Sequence, residues 1–176
     1  NLELLFWATK VSGDSSFYQI AVTHANATLN NHFREDNSTW HVVNYDTTTG
    51  EVINKQTHQG YSHDSAWARG QAWGLYGFTM TYRETGDKRY LSQAQNIADF
   101  LLNHKNLPSD LVPYWDYDAL KIPDEERDAS AGAIMCSALY ELSRLLGEQG
   151  LKYKQAADKI LLSLSSPNFR AMVGEN

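Results

Sequence analysis

Apolar positions in Lys88–Asn103 fall at Leu91, Ala94, Ile97, Ala98, Leu101 and Leu102, the three- and four-residue spacing that turns one helical face toward a core. Helical patterning also runs over Leu2–Lys10, Ser15–Phe33, Ala66–Glu84, Ala129–Leu146 and Leu151–Leu164. The joins repeat. Ser12-Gly13-Asp14 precedes Phe17 and Ala21, and Thr85-Gly86-Asp87 precedes Tyr90 and Ala94; a weaker third copy has Gly150, Tyr153 and Ala157. In each copy the glycine can end one helix in the left-handed conformation, and Asp14 or Asp87 can cap the next. The aromatic residue and alanine then share a face of the new helix. The pattern predicts three helical hairpins, stacked as repeats of one unit.

The connections alternate in length. Turns inside hairpins take a few residues, whereas Arg34–Ser65 and Lys105–Asp128 are long and rich in Trp, Tyr, His and Asp. Loops of that length in a compact domain carry function or are disordered, and this composition argues against disorder. Trp40–Tyr45 and Glu51–Asn54, around Asp46–Gly50, read as a small β-hairpin inside the first loop. Every hairpin starts from the same end, so both long loops gather there, and the site is expected among them.

Composition narrows the chemistry. The 176 residues make one domain, with 15 Lys+Arg against 21 Asp+Glu and a net charge of −6. That balance argues against a nucleic-acid or anionic-membrane surface, both of which need clustered cations. No apolar run approaches a membrane span. A single cysteine, Cys136, excludes an intrachain disulfide framework, and its apolar neighbours make it inert core. Aromatic residues reach 12%, with 5 Trp and 10 Tyr, a surplus that suits a core or a sugar-stacking cleft.

The densest constellation is His58–Gly74, which crosses from the first long loop into a helix with Asp64 or Ser65 as its N-cap. Arg69 and Trp73, four apart, set a guanidinium beside an indole, a pair able to grip a sugar carboxylate and cover its ring. The alternative pairs Arg69 with a neighbouring acid and sends Trp73 to the core. Glycines at 70, 74 and 77 keep one face small for close approach of a helix or ligand. His58, His63 and Asp64 match no zinc spacing, so no metal is expected. His41 is a ligand donor or a packed histidine. Asp116 and Asp118 could form a glycosidase acid/base pair or make turns and caps, and Asp128 or Ser130 is a natural cap for the helix to Leu146.

Trp67-Ala68-Arg69-Gly70-Gln71-Ala72-Trp73-Gly74, Pro113-Tyr114-Trp115-Asp116-Tyr117-Asp118 and Arg127-Asp128-Ala129-Ser130-Ala131 together resemble the unsaturated glucuronyl hydrolases of glycoside hydrolase family 88, over essentially all of the chain. The resemblance implies an all-α (α/α)6 barrel of six hairpins, of which residues 1–176 supply about three as a single domain within a larger barrel. It implies release of a 4,5-unsaturated uronic acid from lyase-generated oligosaccharides by vinyl-ether hydration, without metal or organic cofactor, in bacterial cytoplasm or periplasm. By the same resemblance His41, Gln59, Arg69 and Trp73 bind the unsaturated sugar, and the remainder of the barrel or a partner chain completes the ring. No catalytic role falls on Asp116, Asp118 or Asp128. The family's catalytic aspartate is expected about four residues before Asn1, so these residues alone are expected to be inactive. Alternatives are the related unsaturated rhamnogalacturonyl hydrolases (family 105), which share the Trp-x-Arg-Gly core, and a non-catalytic carbohydrate-binding toroid.

Overall fold

Gly13 and Gly86 turn the chain with φ of +75° and +70°, a region where a side chain is strained. Asp14 and Asp87 follow, accepting from the Ser16 and Arg89 N–H groups at 2.8 and 2.9 Å to cap the next helix. The computed structural model describes residues 2–170; the sequence carries helical patterning back to Asn1, which lies outside the described residues. The helices are α1 (Leu2–Ser12), α2 (Ser15–Asn31), α3 (Ala68–Thr85), α4 (Lys88–Asn103), α5 (Ala129–Leu146) and α6 (Leu151–Leu164). Between α2 and α3, β1 (Val42–Tyr45) and β2 (Val52–Gln56) pair antiparallel, with an irregularity at Asn44/Tyr45.

The third turn closes differently from the pattern. Gly147, not Gly150, has positive φ (60°), and a 3-10 turn covers Gly147–Gly150. Gly150 is needed for space instead: a Cβ there would lie 2.4 Å from the Ser143 carbonyl oxygen. Tyr153 and Ala157 are nonetheless buried, as are Tyr90 and Ala94 in the second copy. In the first copy Ala21 is buried and Phe17 only half-buried.

Each hairpin packs on itself, and α3 also packs along α5 and against α1. The main core joins Leu75 of α3, Ile97 and Leu101 of α4, Met135 and Leu139 of α5, and Tyr153 and Ile160 of α6. Each such side chain contributes about 2 kcal/mol on burial, so this core outweighs the caps in holding the hairpins together. Phe6, Ala21 and Met80 form a smaller cluster that ties α1 and α2 to α3. Cys136 is buried, its thiol 3.4 Å from the Ala157 carbonyl oxygen. Among the described residues no helix is long and apolar enough to cross a membrane.

Two helix ends differ from the pattern for one reason. α2 stops at Asn31 rather than Phe33, because Phe33 bridges to Thr39. α3 begins at Ala68 rather than Ala66, and its N-cap is Trp67, without a side-chain capping bond. Ala66 and Trp67 are extended because they bridge to the second long loop: the Tyr117 N–H donates to Ala66 O, and the Ala68 N–H to Trp115 O. Long-range pairing overrides local helical preference at both places.

Candidate functional site

The two long loops meet at the N-terminal end of α3, and buried polar groups lace them together. Asp116 is fully buried and accepts from the Tyr61 N–H (2.9 Å), the Ser65 hydroxyl (2.7 Å) and the Asp118 N–H (2.9 Å). Asp118 accepts from the Ala66 N–H. With every oxygen committed to loop groups, Asp116 is a structural carboxylate, and it forms no exposed acid/base pair with Asp118. Ser65, a candidate cap, spends its hydroxyl on Ser62 O and Asp116. Gln71, buried in α3, clamps the first loop by accepting from the Thr39 N–H (2.6 Å) and donating to Thr39 O (3.0 Å). Arg34 lies 3.9 Å over Trp40 and donates to Ser38, Thr39, His63 and Ser65.

Beside this platform opens a cavity of about 830 Å³, in the range of small-molecule sites. Trp73 lines it with 52% of its surface exposed, so it is not core. Its ring meets Tyr76 edge-on at 5.6 Å, and the Tyr76 hydroxyl donates to Glu3 at 2.7 Å. Arg83 also donates to Glu3; this bond and the Tyr76 hydroxyl hold the Glu3 carboxyl below its ordinary pKa, the hydroxyl contributing most. Gly77 faces open space, whereas a Cβ at Gly70 would press on Trp67 at 3.1 Å and one at Gly74 on Thr39 at 3.2 Å. The small face therefore serves both purposes: Gly70 and Gly74 admit the loop, and Gly77 leaves room in the cavity.

His41 is on the cavity wall, stacked on Trp67 with ring centroids 4.3 Å apart. Its Nδ1 accepts from the backbone N–H groups of His58 (3.1 Å) and Gln59 (3.2 Å). Burial, and then the nearby His58, lower its pKa. Gln59 is exposed in that turn and adjoins the cavity through His41 rather than lining it. Arg69 also stands outside the lining: its Nε donates to Asp128 at 3.0 Å, and its guanidinium carbon sits 5.4 Å from the Trp67 ring. Asp128 meanwhile caps α5 through the Ala131 N–H at 2.8 Å. Arg69 thus does pair with an acid, as one reading of the sequence had it, while 42% of its side chain stays exposed. His63 Nδ1 accepts from the Thr57 N–H, so it too serves the loop.

Of the four candidates, the structure brings His41 and Trp73 to one cavity and leaves two outside its lining: Gln59, which meets His41 through its backbone N–H, and Arg69, which lies against Asp128 and the Trp67 ring. Sequence reasoning gave no role to Trp67, Gln71 or Arg34, nor to Glu3 and Tyr76 on the wall. Only the three-residue Trp73–Tyr76 spacing, which puts both rings on one helical face, carried a signal, and it pointed to Tyr76.

No family model matches the chain. An unsaturated glucuronyl hydrolase of Formosa agariphila is 52% identical over 94% of this chain and 41% of its own length. The crystal structure of an unsaturated glucuronyl hydrolase specific for heparin superposes with a TM-score of 0.96 at 47% identity, over 99% of this chain and 47% of that one. This chain belongs to the unsaturated glucuronyl hydrolase family. An unsaturated glucuronyl hydrolase of Streptococcus agalactiae, solved as a variant in complex with dGlcA-GalNAc6S, matches with a TM-score of 0.81 at 38% identity, over 93% of this chain and 44% of that one. The chain spans less than half the length of these relatives. Its all-α architecture is that of the six-hairpin toroid, with three helical hairpins and the small β-hairpin among the described residues.

Proposed function

We propose that the protein to which these residues belong is a glycoside hydrolase that releases 4,5-unsaturated uronic acid from the non-reducing end of lyase-generated oligosaccharides. The observation that carries this reading is the cavity in which an exposed indole, Trp73, and a held imidazole, His41, face one space in a chain of this family. Trp73 supplies a flat apolar face for the sugar ring. Asp128 takes the Nε side of Arg69 and is its only acceptor among the described residues, which orients the terminal nitrogens for an anion. Gln59 and His41 supply hydrogen bonds.

In this reading an aspartic acid protonates C4 of the double bond, and its carboxylate then takes a proton from the water that adds at C5. The resulting hemiketal opens and releases the aglycone as an alcohol. No residue of 1–176 is assigned the proton transfer, which falls to an aspartate ahead of Asn1. The 176 residues are then one part of a larger toroid, completed by the remaining chain or a partner. Leu4, Trp7 and Val11 support this, lying along one side of α1 at 63%, 58% and 66% exposure. A bacterial cytoplasm or periplasm, where lyase products arrive, belongs to the same proposal.

Turnover by the full-length protein is followed as loss of the conjugated double bond's absorbance on an unsaturated glucuronyl disaccharide. Turnover is expected, and Arg69→Ala should lower kcat/KM by roughly 10- to 150-fold, the worth of a charged hydrogen bond at 1.5–3 kcal/mol. Binding without turnover would instead make the protein a carbohydrate-binding toroid, and preference for a rhamnose aglycone would indicate the family 105 specificity.

A further inference from the structure

We propose that His41 acts as a neutral donor of fixed tautomer: its Nδ1 docks the turn that carries Gln59, and its Nε2–H is the group it offers to a ligand. The ligand half rests on the sugar-site reading above; the docking half does not.

The backbone N–H groups of His58 and Gln59 converge on Nδ1 at 3.1 and 3.2 Å. A backbone N–H can only donate, so Nδ1 carries no proton, and in a neutral imidazole the proton is then on Nε2. The Thr57 hydroxyl lies 3.3 Å from the same nitrogen while its oxygen accepts from the Gly60 N–H at 2.7 Å. Its own proton is therefore the one available to Nδ1. Protonating Nδ1 would set an N–H against two others at hydrogen-bonding distance and undock residues 57–60. Stacking on Trp67 fixes the ring plane, so the tautomer and the orientation are set together.

The surroundings favour the neutral ring. His58 stands edge-on at 6.4 Å, His63 bonds the Thr57 N–H, and Arg69 shares the Trp67 indole. Elsewhere on the cavity wall are Glu3, Tyr76, His24 and His32. Burial depresses the His41 pKa, and His58 adds to the effect. An Nε2–H selects an acceptor oxygen, whether hydroxyl, ether or carboxylate, and gives no purchase to a cation.

Two substitutions separate the halves. Asparagine places an acceptor oxygen near the Nδ1 position but lacks the Nε2 donor; glutamine reaches the Nε2 position but lacks the Nδ1 acceptor. In the full-length protein with 15N-labelled histidine at pH 7, the His41 signals should show an unprotonated Nδ1 and a protonated Nε2. Amide exchange at residues 58 and 59 should stay near wild type in His41→Asn and accelerate on the order of tenfold in His41→Gln. His41→Asn should also weaken binding of an unsaturated glucuronyl disaccharide on the order of tenfold. A protonated Nδ1 at neutral pH, or exchange at 58 and 59 indifferent to both substitutions, would overturn the proposal. If the exchange pattern holds while no form of the protein binds the disaccharide, the docking role stands and the sugar-site reading falls.

Discussion

The two ends of the hairpins are built on opposite principles. At the turn end, Gly13-Asp14 and Gly86-Asp87 close each reversal with bonds between residues two apart, exposed to water. At the loop end, Asp116, Gln71 and Asp128 bond groups 32 to 59 residues away, and all three are buried. Exposed local bonds are replaceable by water, whereas a buried group that loses its partner keeps the full desolvation cost. The loop end therefore holds the cavity walls in place, and it is the end most easily damaged by a single change.

The largest test of that contrast is Asp116→Ala, which strands the Tyr61 and Asp118 N–H groups together and leaves the Ser65 hydroxyl with Ser62 O alone. A stability loss of about 3 kcal/mol or more is expected in chemical denaturation, and a loss below about 1 kcal/mol would show that the lacing is not what joins the loops.

Acid should separate the ends next. His32, His41 and His104, all at the loop end, have pKa values lowered by burial from the ordinary 6.5. The unfolded chain thus binds protons below about pH 6.5 that the folded one resists, so stability is full above that pH and falls as pH drops below it. Asp14 and Asp87 are held below the ordinary 3.8, chiefly by the Ser16 N–H and by the Arg89 side chain respectively. Their contribution persists until pH falls through that lower range. Between pH 7 and 5 amide protection, taken relative to the intrinsic exchange rate at each pH, should fall around residues 57–60 while Ser16 and Arg89 stay protected; simultaneous loss at both ends would erase the distinction.

The smallest effect is expected from Asp87→Ala, which removes one exposed cap. Its drop in melting temperature should be several-fold smaller than that of Asp116→Ala, and an equal drop would mean that the turn end carries as much as the loop end.

The same contrast explains what was legible in the sequence. Gly86-Asp87 followed by Tyr90 and Ala94 announces its structure because the bonds it makes are local. The buried stripe of α4 could likewise be read from spacing: Ala94, Ile97, Ala98 and Leu101 are all fully buried. The start of α3 could not, since Ala66 and Trp67 are extended only through partners near residue 116. Arg69 and Trp73 were found as a pair, but their separation into an acid-bound guanidinium and an exposed indole depends on Asp128, 59 residues from Arg69, and on the space beside Gly77. Gly150 shows the converse, a repeat position kept for close packing after its turn geometry had moved to Gly147.

The claim on which the functional account rests is that the cavity beside Trp73 receives the unsaturated sugar. Steady-state turnover of an unsaturated glucuronyl disaccharide by full-length Trp73→Ala tests it most directly. The account predicts a rise in KM that lowers kcat/KM by about tenfold or more, with the fold intact. Wild-type kinetics in that variant would contradict it.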